Sequence, residues 1–162
     1  MPYSTETVVN SILQRGFREK RADLTPMKMQ KLLYFLNGWH LAVSGKPVVD
    51  QPFEAWKYGP VVESAYKQMR RFGADCVSDY LKVLDPKSGE WKAYVVSDDD
   101  KTFADVLDLT WEKYIGIDAL HLSAMTHEKG SPWHETHRNA GQGSVIPNEL
   151  IRKYFVGLAK AA

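Results

Sequence analysis

The sequence predicts a mostly α fold, α+β in class: about six helices around a buried central helix, with one small β-hairpin or short antiparallel sheet. Three observations carry this. Between Met27 and Ser44, the residues Met29, Leu32, Leu33, Phe35, Leu36, Trp39, Leu41, Ala42 and Val43 cover most of a helical circumference. A helix that is apolar nearly all round is a buried one. Five further segments repeat apolar residues at helical spacing. Two β-rich runs, Val77–Leu84 and Trp91–Val96, flank the turn signal Asp85-Pro86-Lys87-Ser88-Gly89 and read as a hairpin.

Taken in order, Ser4 or Thr5 caps a first amphipathic helix that carries Val8, Val9, Ile12, Leu13 and Phe17 and ends near Ala22. Thr25 caps the central helix, Pro26 suits its first position, and Gly45 suits the left-handed residue after its end. Gly45-Lys46-Pro47 is a turn, and Phe53–Trp56 reads as an extended loop or short edge strand. Pro60 is expected to start a helix with Val61, Val62, Ala65, Tyr66, Met69 and Phe72 buried, stopped by Gly73. A two-stranded hairpin is marginal alone, so Val77–Val96 must pack on helices or gain a third strand, for which Phe53–Trp56 is the candidate. Helices are further expected over Lys101–Ile115, Ala119–Glu128 and Asn148–Ala159, with Gly130-Ser131-Pro132-Trp133 as a turn.

At 162 residues the chain reads as a single domain, 1–162, long enough to bury about 70% of its unfolded surface. The 21 basic and 20 acidic residues nearly balance, which argues against a dedicated electrostatic nucleic-acid binder. The one cysteine, Cys76, excludes an internal disulfide and suits a reducing cytoplasm. No signal-peptide pattern precedes the first helix, and the run Leu32–Val43, interrupted by Asn37 and His40, is too short to span a bilayer.

Chemistry-bearing patterns are sparse. His121, His127, His134 and His137 lie close in sequence, but His134-Glu135-Thr136-His137 lacks the four-residue histidine spacing of a helical zinc motif. Cys76 has no visible base partner and reads as a small hydrophobe. Neither a nucleophile elbow nor a glycine-rich phosphate loop occurs. The basic groups Arg15–Arg21 and Lys67–Arg71 read as solvated helix faces. What stands out is the aromatic content of turns: Trp56, Tyr58, Trp91 and Trp133. Such residues serve as interface anchors or as core filling.

The run Gln30-Lys31-Leu32-Leu33-Tyr34, then Gly38-Trp39-His40, Gly45-Lys46-Pro47 and Glu54-Ala55-Trp56-Lys57-Tyr58-Gly59-Pro60-Val61-Val62, resembles the signature of the Panacea, or SocA-like antitoxin, domain family, formerly a phage-associated domain of unknown function. Leu122-Ser123, Thr126-His127-Glu128, Ser131-Pro132-Trp133, Ile146 and Tyr154-Phe155 fit as well. The resemblance implies an antitoxin that binds and neutralises a cognate protein toxin encoded by a neighbouring gene, with neither enzymatic activity nor a cofactor. Because they are turn-located, aromatic and family-typical, Trp56, Lys57, Tyr58, Gly59 and Pro60, with His127 and Trp133, are the expected part of the partner surface. The competing account is that these same residues fix the fold. Two other functions stand beside it: a phage-encoded modulator or adaptor that delivers a bound protein to an ATP-dependent protease, and a small metal-dependent hydrolase using His127 and Glu128. Neither a membrane nor a nucleic acid is the expected partner.

Overall fold

The computed structural model describes all 162 residues. Seven helices form, α1 (Thr5–Arg18), α2 (Pro26–Ser44), α3 (Glu63–Met69), α4 (Lys101–Tyr114), α5 (Ala119–Thr126), α6 (Pro132–Ala140) and α7 (Asn148–Ala161). Five short strands accompany them, β1 (Phe53–Trp56), β2 (Gly59–Val61), β3 (Val83–Leu84), β4 (Trp91–Lys92) and β5 (Val145–Ile146). No helix is long and apolar enough to cross a membrane.

The central helix forms where its end signals place it. Thr25 Oγ1 accepts from the Lys28 amide at 3.3 Å, Pro26 occupies the first turn, and Gly45 closes the helix at φ +76° by donating to Leu41 O. Every residue from Lys28 to Trp39 is buried. Helices α4 and α7 pack most extensively on α2, and α1, α3, α5 and the sheet complete its surround. Phe35 stacks on Tyr114 of α4 at 4.1 Å, and Trp39 Nε1 donates to the Tyr114 hydroxyl at 2.9 Å. On the other side Phe155 of α7 meets Tyr34, Phe35 and Trp39 edge-on at 5.8, 6.1 and 5.2 Å.

The departures from expectation are local. Strand β1 is the middle of a three-stranded antiparallel sheet ordered β2-β1-β5, not an edge. Pro60 opens no helix; it lies in edge strand β2 opposite Ala55, where its missing N–H costs no ladder bond. Helix α3 starts at Glu63, because the Gln30 side-chain amide clamps Val62, accepting from its N–H and donating to its C=O, both at 3.1 Å. The 83–92 hairpin pairs only Val83 with Lys92 and Leu84 with Trp91, and it joins no third strand. Its flanks are held by Asn10, whose amide exchanges two 2.8 Å bonds with Leu81 and donates to Tyr94 O at 3.0 Å. The expected turn at Gly130–Trp133 is the start of a seventh helix: Ser131 Oγ caps it by accepting from the His134 amide, and Pro132 is its first residue. The first helix stops at Arg18, short of Ala22, and Lys20 takes a left-handed φ of +54°.

Candidate partner-binding site

The β1–β2 turn is held by its own carbonyl oxygens. Trp56 O accepts from Trp133 Nε1 at 2.7 Å. Lys57 O faces His127 Nε2 at 3.0 Å. Tyr58 O accepts from Ser123 Oγ at 2.7 Å, and Pro60 O from Lys31 Nζ at 3.3 Å. A tight turn leaves such acceptors without ladder partners, and burial requires each to find a donor. Here α5 with its C-cap His127, α6 and α2 supply them. His127 also points Nδ1 at Ser123 O at 2.6 Å, so both ring nitrogens meet carbonyl acceptors and whichever bears the proton donates. Its ring lies 3.9 Å from Trp133, which stacks in turn on His137 at 4.6 Å. Gly59 lets the turn come this close. Its φ is +116°, and a Cβ there would stand 2.7 Å from Thr126 Oγ1 and 2.8 Å from Lys31 Cε.

The seven residues singled out by sequence therefore meet in one place but divide in exposure. Gly59, Pro60 and Trp133 are buried, and Trp56 and His127 are partly so. Lys57 and Tyr58 are exposed, with the lysine Nζ 5.4 Å from the centre of the Tyr58 ring. Trp56 packs edge-on against Tyr66 at 4.8 Å and donates from Nε1 to Glu54 Oε1 at 2.8 Å. Beside the turn lies a cavity of about 400 Å³, walled chiefly by Met27, Trp56, Tyr58, Val61, Tyr66 and Met69, with Gln30, Lys31 and Lys57 among its polar lining.

Elsewhere several of the basic residues are locally matched. Arg15 pairs with Glu19 and Asp108, Arg21 with Asp23, and Lys67 with Glu63. No three His, Cys, Asp or Glu side chains are placed to hold a metal ion.

The family model described as "Antitoxin SocA-like, Panacea domain" matches residues 29–134, more than half of the chain. The chain belongs to the SocA-like Panacea domain family. Among curated proteins, Antitoxin SocA of Caulobacter vibrioides (strain NA1000 / CB15N) is 29% identical over 136 residues, covering 82% of this chain and 72% of that protein. No solved structure matches. The matched stretch of this Panacea domain begins just before Gln30 and Lys31 and ends just after Trp133. It thus contains every donor that holds the β1–β2 turn.

Lys31 is the residue that sequence reasoning passed over as a site. It is 1% exposed, and Pro60 O is its single hydrogen-bond partner. Burial pushes its ammonium down from the usual 10.5 to about 7. The signal was available: Lys28, Gln30, Lys31 and Asn37 all sit on a helix whose apolar circumference marked it as buried, and a buried polar group must find a partner. Lys28 finds Asp23 and Ile115 O at 2.9 and 2.7 Å.

The sign of the Lys31 effect on stability is unusual. Below pH 7 the lysine is charged in both folded and unfolded chains, and folding bears the full cost of burying it. Between about 7 and 10.5 only the unfolded chain keeps the proton, so stability rises with pH across that window. Lys57, Tyr58 and Tyr66 are the other titratable groups lining the cavity, and no carboxylate does. Denaturant unfolding of the wild type and Lys31→Met at pH 7, 8 and 9 checks this. The wild type should gain on the variant by up to about 1.4 kcal/mol per pH unit. A difference that is flat with pH would mean that Lys31 titrates near its usual value.

Proposed function

We infer that this chain is the antitoxin of a toxin–antitoxin pair and neutralises a protein toxin in the cytoplasm by direct binding. The observation that carries this reading is the match of residues 29–134 to the SocA-like antitoxin family, supported by the relative named Antitoxin SocA. The surface best suited to the contact is the Trp56–Tyr58 turn. Tyr58 is 58% exposed on a backbone fixed by four side-chain donors, and Tyr66 of α3, 41% exposed, lines the same cavity. Exposed tyrosines on a rigid support make effective anchors, because little conformational freedom is lost on contact. A stable complex would bury about 1,200–2,000 Å² in total, of which this turn is one part. A binding role fits the site: the Trp133 and Lys31 nitrogens and both His127 ring nitrogens meet backbone carbonyls, and His127 and Trp133 touch only ring to ring.

Co-expression tests it. The neighbouring reading frame is induced alone and then with this chain. Growth arrest relieved by this chain, together with a complex that co-purifies at steady toxin abundance, is the expected result. Relief accompanied by rapid loss of the toxin would mean delivery to an ATP-dependent protease. A harmless neighbour and no complex would overturn the antitoxin reading.

A further inference from the structure

We propose that the cavity beside the β1–β2 turn receives a carboxylate carried on an apolar segment of the partner protein, with Lys31 as the group that meets it. The partner is taken to be the toxin, so this rests on the antitoxin reading.

Its volume, about 400 Å³, suits one or two side chains. Its walls are mainly apolar, from Met27, Trp56, Val61, Tyr66 and Met69. An apolar group therefore gains by entering. The polar groups decide what else it must carry. The Gln30 amide gives one N–H to Val62 O and accepts from Val62 N, and it carries no charge. Lys31 is not consumed: an ammonium has three N–H donors, and one neutral carbonyl, Pro60 O at 3.3 Å, is all that meets them. This side chain is almost wholly buried yet lines the cavity, and no carboxylate is paired with it. Burying an ammonium without a counter-ion is costly, and an incoming carboxylate turns that cost into a desolvated, charge-assisted pair. Lys57 adds a second positive charge at the exposed edge, and no acidic side chain lines the cavity to repel the guest.

The source of the carboxylate follows from the rim. Tyr58 and Tyr66 are both exposed and border the cavity, so its mouth opens onto the same aromatic surface proposed to contact the toxin. An Asp, a Glu or the terminal carboxylate next to an apolar residue of the toxin would enter Lys31's cavity while its neighbours cover Tyr58.

The first arm of the test needs no toxin. Phenylacetate, its neutral counterpart phenylacetamide and the cation phenethylammonium are titrated into the full chain. The indole signal of Trp56 and the amides of Tyr58 and Val61 are followed by NMR. Phenylacetate should bind about ten-fold or more tightly than the amide, and Lys31→Met, which keeps the apolar stem, should abolish the difference. In parallel, the wild-type Lys31 amine is followed by its own side-chain Cε resonance in uniformly isotope-labelled protein; phenylacetate should move its titration midpoint upward. That arm needs no variant to fold. Equal binding of the three probes, or no binding, or an unmoved midpoint, overturns the site.

The second arm measures the neighbour-encoded toxin against wild type and Lys31→Met, where about a thirty-fold loss is expected. Discrimination among the probes with unchanged toxin affinity would overturn the toxin as occupant and leave a free carboxylate ligand in its place. A neighbour that binds neither form would sink the antitoxin reading, and the probe arm would decide the site alone.

Discussion

Phe155→Ala is expected to destabilise the fold by about 3–5 kcal/mol, the usual cost of emptying a fully buried phenylalanine site. The ring is 0% exposed and joins α7 to three aromatics of α2. Against a total stability of about 5–15 kcal/mol, that loss leaves a marginal protein whose last helix detaches first. The companion position is Gly38, in the middle of α2. A Cβ there would overlap Phe155 Cδ2, Cε2 and Cζ, so the glycine is the notch into which the ring fits. In an exposed helix Gly→Ala gains about 1 kcal/mol. Here the overlap reverses the sign, and Gly38→Ala should cost about 1–3 kcal/mol from overpacking. In the Phe155→Ala background the obstruction is gone, and Gly38→Ala should become neutral or stabilising. A urea-denaturation double-mutant cycle checks the pair. Coupling of about 1 kcal/mol or more, with the double variant more stable than the sum of the singles, is the expected result. Additive costs would mean that α7 has room to shift away from α2.

These two positions also mark what could be read in advance. The buried central helix was legible because its signals are local: Thr25 and Pro26 before the apolar run, Gly45 after it. Phe155 was legible as an apolar helix position, and Gly38 as part of a family motif. That one notches into the other was not, because the pairing spans more than a hundred residues of sequence. The same holds for the amides of Asn10 and Gln30. Each substitutes for a missing strand beside a distant extended segment, Asn10 at Leu81 and Gln30 at Val62. Helix α6 was missed for a different reason. Of its nine residues only Pro132, Trp133 and Thr136 are buried, too few to show periodicity, and Ser131-Pro132 serves a turn and a helix start equally well. The two aromatic motifs were visible as text, and their union was not. It runs through backbone carbonyls, which carry no residue-type signature.

That union separates the fold-fixing residues from those free to touch a partner, and substitution should expose the difference. Trp133→Phe keeps an aromatic ring but removes the donor that meets Trp56 O at 2.7 Å. An acceptor left unpaired costs about 1–3 kcal/mol, and Trp133→Ala, which also empties a site only 8% exposed, should cost about 3–5 kcal/mol. In both variants toxin binding should fall only as far as the folded fraction does. Tyr58→Ala is the converse. The side chain is 58% exposed, and the bond that Tyr58 gives to the fold runs through its carbonyl, which alanine retains. Its stability should stay within about 0.5 kcal/mol of wild type. Its affinity for the toxin should fall by about 2 kcal/mol, or roughly thirty-fold, if the ring is an anchor. Thermal unfolding and calorimetric titration of the three variants measure both quantities on the same samples. A Tyr58→Ala protein that binds the toxin normally would move the contact surface away from this turn. A Trp133→Phe protein that melts normally but no longer binds would put the buried indole, and not the exposed phenol, at the interface.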